Sequence, residues 1–125
     1  MQFGTDGVRG RAHDELTVEF AERLARAASH VLGSAFDESS AGMRSVVIGA
    51  DTRESSPAFV AALASGFAAA GVHVVDLGVA PTPMVAFECG RLDAMGAMVS
   101  ASHNPWHDNG IKLFARGGTK LPYEV

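Results

Sequence analysis

Cysteine is nearly absent from this 125-residue chain: Cys89 stands alone. No disulfide can form within it, and a reducing cytoplasm is the expected home. An excess of positive charge is absent too. Ten basic residues against fourteen acidic ones leave a formal net charge of −4, so no global basic field draws in nucleic acid or a membrane surface. No apolar run approaches the length of a membrane span. The chain does not open on a basic stretch followed by an apolar core, the pattern of a secretion signal. Internal repeats and low-complexity tracts are missing as well. What remains is 47% hydrophobic and 19% charged, the balance of a soluble globular chain rather than a disordered one. A single domain of this size buries roughly two-thirds of the surface its unfolded chain exposes.

The hydrophobic pattern alternates between two periods. Residues 2–12 are polar and punctuated by glycine, with room for one short strand near Gly4–Val8. Leu16, Phe20, Leu24, Ala27 and Val31 follow helical spacing, with Thr17 as a cap and Gly33 as a stop. After a polar connection, Ser45–Ala50 reads as a buried strand. A second helix follows, with Ser56 as its cap and Pro57 in its first turn, and stops at Gly71. Val72–Leu77 is the next strand, Thr82 and Pro83 open a short helix ending near Gly90, and residues 94–99 form another strand. Asp108-Asn109-Gly110 is expected to turn the chain into a strand over Ile111–Ala115, with a hairpin returning through Thr119–Leu121. Strands alternating with helices predict an α/β sandwich with a largely parallel sheet, made mixed by that hairpin.

Ser100-Ala101-Ser102-His103-Asn104-Pro105 carries the most chemistry. Ser102 stands just past a strand's carboxyl end, where open α/β sheets place their ligands. Pro105 fixes its own φ and biases Asn104 away from helix, which stiffens the loop. The glycines of a nucleophile elbow are missing two residues either side of Ser102, where Ser100 and Asn104 stand. His103 is adjacent and so poorly placed to act as its base. Phosphorylation of Ser102 fits the loop better than hydrolase chemistry. Lys112, ten residues on, alternates with Ile111 and Leu113 and so faces away from them. A lysine becomes a base only when desolvation or a neighbouring cation removes its proton.

Three further groupings have plain structural readings beside functional ones. Gly4-Thr5-Asp6-Gly7-Val8-Arg9-Gly10 lets backbone approach a ligand and offers the Arg9 fork to phosphate, but it is not a Walker loop, and glycine-rich turns are commonly only turns. Asp51 and Arg53, with Ser55 and Ser56, lie past a strand and at a helix start, where a capped helix with a local ion pair accounts for them equally well. His103 and His107, with Asp108 next door, have metal-like spacing, yet Pro105 between them prevents one helical face from presenting both. Met95 and Met98 read as core filler.

Taken together these segments resemble the α-D-phosphohexomutase family. The serine loop is similar to its Thr/Ser-Ala/Gly-Ser-His-Asn-Pro signature. Phe3–Gly10 and Asp108–Lys112 look like its glycine-rich and Asp-Asn-Gly-Ile-Lys segments, and Gly49–Arg53 like its Gly-x-Asp-x-Arg element. The likeness covers nearly the whole chain with no departure at a motif position; Trp106 and His107 fill variable sites. It implies a three-layer α/β/α sandwich and amino-sugar metabolism, with Ser102 passing a phosphoryl group to glucosamine 6-phosphate through a bisphosphorylated sugar. It further implies Lys112 as general acid/base, Arg9 and His103 near the phosphoserine and substrate, and Asp51, Arg53 and Asn104 as supports of the loop. A Mg²⁺ ion would meet a phosphate oxygen on Ser102.

Family members have four domains around a cleft, and residues 1–125 resemble the first alone. No Asp-Gly-Asp-x-Asp cluster occurs, so carboxylates from outside this chain are expected to complete the metal site. The expected partners are a phosphosugar and the remaining domains of the same enzyme, with no nucleic acid or membrane, and an oligomer is compatible. Mannose or glucose phosphates as substrates, and a non-catalytic phosphosugar-binding module, are the alternative expectations.

Overall fold

A computed structural model describes residues 2–4, 7–13, 16–33, 44–100 and 108–117. The chain begins with two short strands, β1 (Gln2–Gly4) and β2 (Gly7–Arg11), paired antiparallel, where the sequence suggested one. The first helix, α1 (Val18–Gly33), starts as predicted: the Thr17 hydroxyl oxygen accepts the N–H of Phe20 at 3.1 Å. Leu16 precedes the helix instead of opening it. It is nevertheless wholly buried, with its N–H given to the Arg11 carbonyl at 3.0 Å.

Strand β3 (Ser45–Ala50) has the bounds its β-branched run predicts. Helix α2 (Ser56–Ala69) follows, and Gly71 ends it at φ +81°, a left-handed conformation suited to glycine. Strand β4 (His73–Val79) leads to helix α3 (Thr82–Leu92). This helix runs through Gly90, the expected stop. Asp93 takes the left-handed position instead, at φ 54°, and pairs with Arg116. Neither Ser56 nor Thr82 caps its helix, because both lie within the helix and no side-chain cap bond forms at either start.

Strand β5 (Met95–Val99) and strand β6 (Asp108–Phe114) follow. Among the described residues six strands form one sheet, in the order β1-β2-β6-β5-β3-β4. β3 is parallel to both neighbours, whereas β6 returns antiparallel to β5 and takes β2 antiparallel on its other side. The sheet is therefore mixed through β6 and the β1–β2 ribbon; the hairpin expected through Thr119–Leu121 lies outside the described residues. Asp108-Asn109-Gly110 is strand rather than turn, since Asn109 pairs with Gly10 and Asp108 with Arg11.

Alternation along the strands separates two cores. Ile48, Ala97, Val99, Ile111 and Leu113 face α1 and α2, where Ala25, Phe59, Leu63 and Phe67 are buried. Val47, Met98 and Phe114 face α3 through Val85 and Cys89. Burying each such Phe, Leu or Ile stabilises the fold by about 1.5–3 kcal/mol. Helices on both faces of the sheet make the α/β/α sandwich. Among the described residues no helix is long and apolar enough to cross a membrane.

Candidate active site

The carboxyl ends of β3 and β5 meet the N-terminus of α2 and the first residues of β6. Asp51, the first residue past β3, donates its N–H to the Val99 carbonyl at 3.1 Å, tying the two strand ends together. Its carboxylate gathers bonds from four directions. Oδ1 accepts the Ser56 hydroxyl at 2.8 Å and the Arg53 N–H at 3.1 Å, and Oδ2 accepts Arg53 Nε at 2.9 Å. The Ser100 hydroxyl supplies the fourth. Burial opposes ionisation of Asp51, but these bonds outweigh it and hold the carboxyl below the ordinary aspartate range.

The Asp51–Arg53 pair is more than local. Arg53 also donates from Nη1 to the Asp108 carbonyl at 3.4 Å, across 55 positions of sequence. Asn109, next in the chain, is wholly buried and donates from Nδ2 to Ser55 Oγ at 2.8 Å and Ser56 Oγ at 3.1 Å. On the other strand, Ser100 gives its N–H to the Gly110 carbonyl at 2.9 Å. Ser100 and Asp108 are the residues that flank segment 101–107. Ser100 and Asp108, on either side of 101–107, thus belong to one polar cluster.

Ser102, His103 and Asn104 themselves lie outside the described residues, as does His107. Lys112 and Arg9 are described. On β6, Lys112 is opposite Met98 of β5, on the α3 face, and so opposite in direction to Ile111 and Leu113. On β2, Arg9 is opposite Gly110. Paired and alternate residues share a face, which puts Arg9 and Lys112 on the same side, one diagonal step apart at about 7–8 Å between backbones. Both are half-buried. Two cations therefore share one face of the sheet beside the strand end, while Asn109 reaches the α2 side.

Local patterns misread Ser56 as a helix cap and Asn109 as a turn residue, and left Ser100 without a role. The one available signal was that the serine pair 55–56 and the Asp-Asn-Gly run each sit beside a candidate loop. Cys89, far from this cluster, is buried; desolvation pushes its thiol up to about 11, and its Sγ lies 3.3 Å from the Met95 carbonyl oxygen. His13 stacks on Phe59 with ring centroids 5.5 Å apart, and both His30 and His73 are exposed.

Comparison with known proteins adds a lineage to this geometry. Residues 1–125 match the family described as Phosphoglucomutase/phosphomannomutase, alpha/beta/alpha domain I. A phosphoglucosamine mutase of Rhodococcus opacus (strain B4) is 53% identical over 124 residues, covering 98% of this chain and 27% of the relative. One from Clavibacter sepedonicus is 53% identical over 126 residues, and one from Bifidobacterium longum (strain DJO10A) 52% over 123. Among solved structures, a phosphoglucomutase/phosphomannomutase family protein from Burkholderia thailandensis aligns with a TM-score of 0.78 at 33% identity, covering 92% of this chain and 26% of that one. The chain thus spans about a quarter of the length of the relatives it matches.

Proposed function

Because this chain belongs to the phosphoglucomutase/phosphomannomutase family, we propose that it is the phosphoserine domain of a cytoplasmic mutase that interconverts glucosamine 6-phosphate and glucosamine 1-phosphate. The observation that carries the reading is the double anchoring of segment 101–107. Its flanking residues Ser100 and Asp108 both reach the Asp51–Arg53 pair, which suits a loop whose serine must present a phosphoryl group in one orientation. The choice of glucosamine rests on 50–53% identity to proteins named phosphoglucosamine mutase, against 33% to the Burkholderia family protein.

Two transfers make up the reaction. In the first, the Oγ–P bond of phospho-Ser102 breaks and a bond forms from phosphorus to the sugar's 1-oxygen. Lys112 takes the 1-hydroxyl proton and delivers one to Ser102 Oγ. The bisphosphorylated sugar then turns round. In the second, the bond between phosphorus and the 6-oxygen breaks, Ser102 Oγ is phosphorylated again, and the proton goes to the 6-oxygen, releasing glucosamine 1-phosphate. A lysine serves this role only if it can give up its proton, which a nearby cation favours; Arg9 shares its face. Arg9 and His103 bind phosphate oxygens, and Asp51, Arg53 and Asn104 keep the loop in place.

Mg²⁺, when bound, supplies charge neutralisation on the transferring group. Among the described residues no cluster of three or more His, Cys, Asp or Glu side chains is placed to hold it. Ser102 contributes a phosphate oxygen, and the remaining ligands are proposed to come from outside this chain. Residues 1–125 alone are accordingly expected to be inactive.

The test is turnover by the full-length enzyme, primed with a hexose 1,6-bisphosphate, on glucosamine, glucose and mannose 6-phosphates. The expected result is highest kcat/KM for glucosamine phosphate, with Ser102→Ala inactive. Higher kcat/KM for glucose or mannose phosphate contradicts the sugar, and an active Ser102→Ala variant contradicts the mechanism.

A further inference from the structure

Resting on the mutase reading, we infer that Asn109 is a positioning residue for phosphoryl transfer at Ser102, acting by locking the first residues of β6 to the first turn of α2. Its carboxamide is wholly buried and fully engaged. Nδ2 spends both hydrogens, on Ser55 Oγ and Ser56 Oγ, and Oδ1 accepts the Gly110 N–H at 2.9 Å. That pattern fixes the amide's orientation, because the reverse would set a donor against Gly110 N–H and leave both serines without their donor.

The direction of each proton is then forced. Ser56 has one hydroxyl hydrogen, and it goes to Asp51 Oδ1, so toward Asn109 it can only accept. From Asp51 the connection passes to Arg53, and from Arg53 Nη1 to the carbonyl of Asp108, the residue beside Asn109. The bonds close a ring: Asn109 to Ser56, to Asp51, to Arg53, to Asp108. Ser100 joins the same ring through Asp51 and through the Gly110 carbonyl. Asn109 donates into that ring from β6 through Ser56, and to Ser55 beside it. It therefore sets Asp108 and Gly110 relative to Ser100 across the sheet, and does so on the strand that also carries Lys112.

An in-line transfer responds steeply to such placement, since a misplacement of about 1 Å costs on the order of 100-fold in rate. Asn109→Asp keeps the shape of the side chain but replaces Nδ2, which donates twice, with one acceptor oxygen facing two serine oxygens. In the full-length enzyme this variant is expected to lower kcat by about 10- to 100-fold while leaving KM for glucosamine 6-phosphate within about threefold. Ser55→Ala, which removes one acceptor of the same amide, gives a smaller loss in the same direction and serves if Asn109→Asp does not fold. Val85→Ala, in the other core, loses stability but keeps kcat.

A kcat loss for both Asn109→Asp and Ser55→Ala no greater than that of Val85→Ala overturns the inference, as does a KM that rises in step. Hydrogen exchange distinguishes a failure of the anchoring from a failure of the mutase reading. If the wild-type enzyme turns over no sugar phosphate, the mutase reading falls. The anchoring claim then stands on faster exchange of the Ser100 and Gly110 amides in Asn109→Asp, with β3 unchanged, and fails if exchange there matches wild type.

Discussion

Replacing Asp51 with asparagine tests the charge at the centre of this ring. The amide oxygen can keep both bonds that Oδ1 accepts, from Ser56 at 2.8 Å and from the Arg53 N–H at 3.1 Å. The nitrogen that replaces Oδ2 meets Arg53 Nε, another donor, at a site now 2.9 Å wide. One charge-assisted bond is lost, worth about 1.5–3 kcal/mol. Arg53, only 12% exposed in its side chain, cannot fully recover that bond from water. The expected cost at pH 7 is about 2 kcal/mol, at the lower part of that range because Asp51 is itself partly solvated.

The pH dependence makes this prediction specific. The carboxyl of Asp51 is held below the ordinary aspartate range in the folded chain. Its stabilisation is therefore complete above the unfolded value near 3.9 and is lost as pH falls through the lower folded one. Asparagine has nothing to titrate. The stability gap between wild type and Asp51→Asn, from urea unfolding followed by circular dichroism, should be constant from pH 7 to about 5 and narrow progressively below about pH 4. A gap below about 0.5 kcal/mol at pH 7, or one that does not narrow in acid, refutes the reasoning.

Three other outcomes follow from packing and solvation. At Gly66 an added Cβ would stand 2.5 Å from the Glu22 carbonyl oxygen and 2.7 Å from Ala25 Cβ, so Gly66→Ala should destabilise the chain by about 1–3 kcal/mol in urea unfolding despite alanine's better helix propensity. At Gly96 the same addition meets Cys89 Sγ at 2.4 Å, a side chain rather than backbone; Gly96→Ala should be destabilising alone and largely restored in combination with Cys89→Ala. Cys89, buried and with its thiol pushed up to about 11, should resist a thiol reagent at pH 8 in the folded chain and react promptly in urea, whereas rapid labelling of native protein would contradict its burial.

Much of the scaffold was legible because it is written locally. The β-branched run 45–50 gave its strand with the right bounds, Thr17 gave its cap, and the alternation of Ile111, Lys112 and Leu113 placed the lysine on the face away from the α1–α2 core. Errors arose where distant partners override local chemistry. Asp-Asn-Gly has a turn's composition, yet pairing with Gly10 and Arg11 and two bonds to serines 53 and 54 positions away make it a strand start. Ser56 has the composition of a cap, but the carboxylate of Asp51 takes its hydroxyl instead. The motifs marked the right neighbourhood without revealing the ring, since its bonds join segments that no local window contains.

The central claim is that Ser102 carries the transferred phosphoryl group. Mass spectrometry of the protein purified from its own cells, on the peptide spanning residues 92–112, tests it most directly. Phosphate localised to Ser102, with a labelled phosphoryl group there passing into the sugar phosphates on incubation with glucosamine 6-phosphate, is the predicted result. A bare Ser102 after priming with a hexose 1,6-bisphosphate, or phosphate on Ser100 instead, would contradict it.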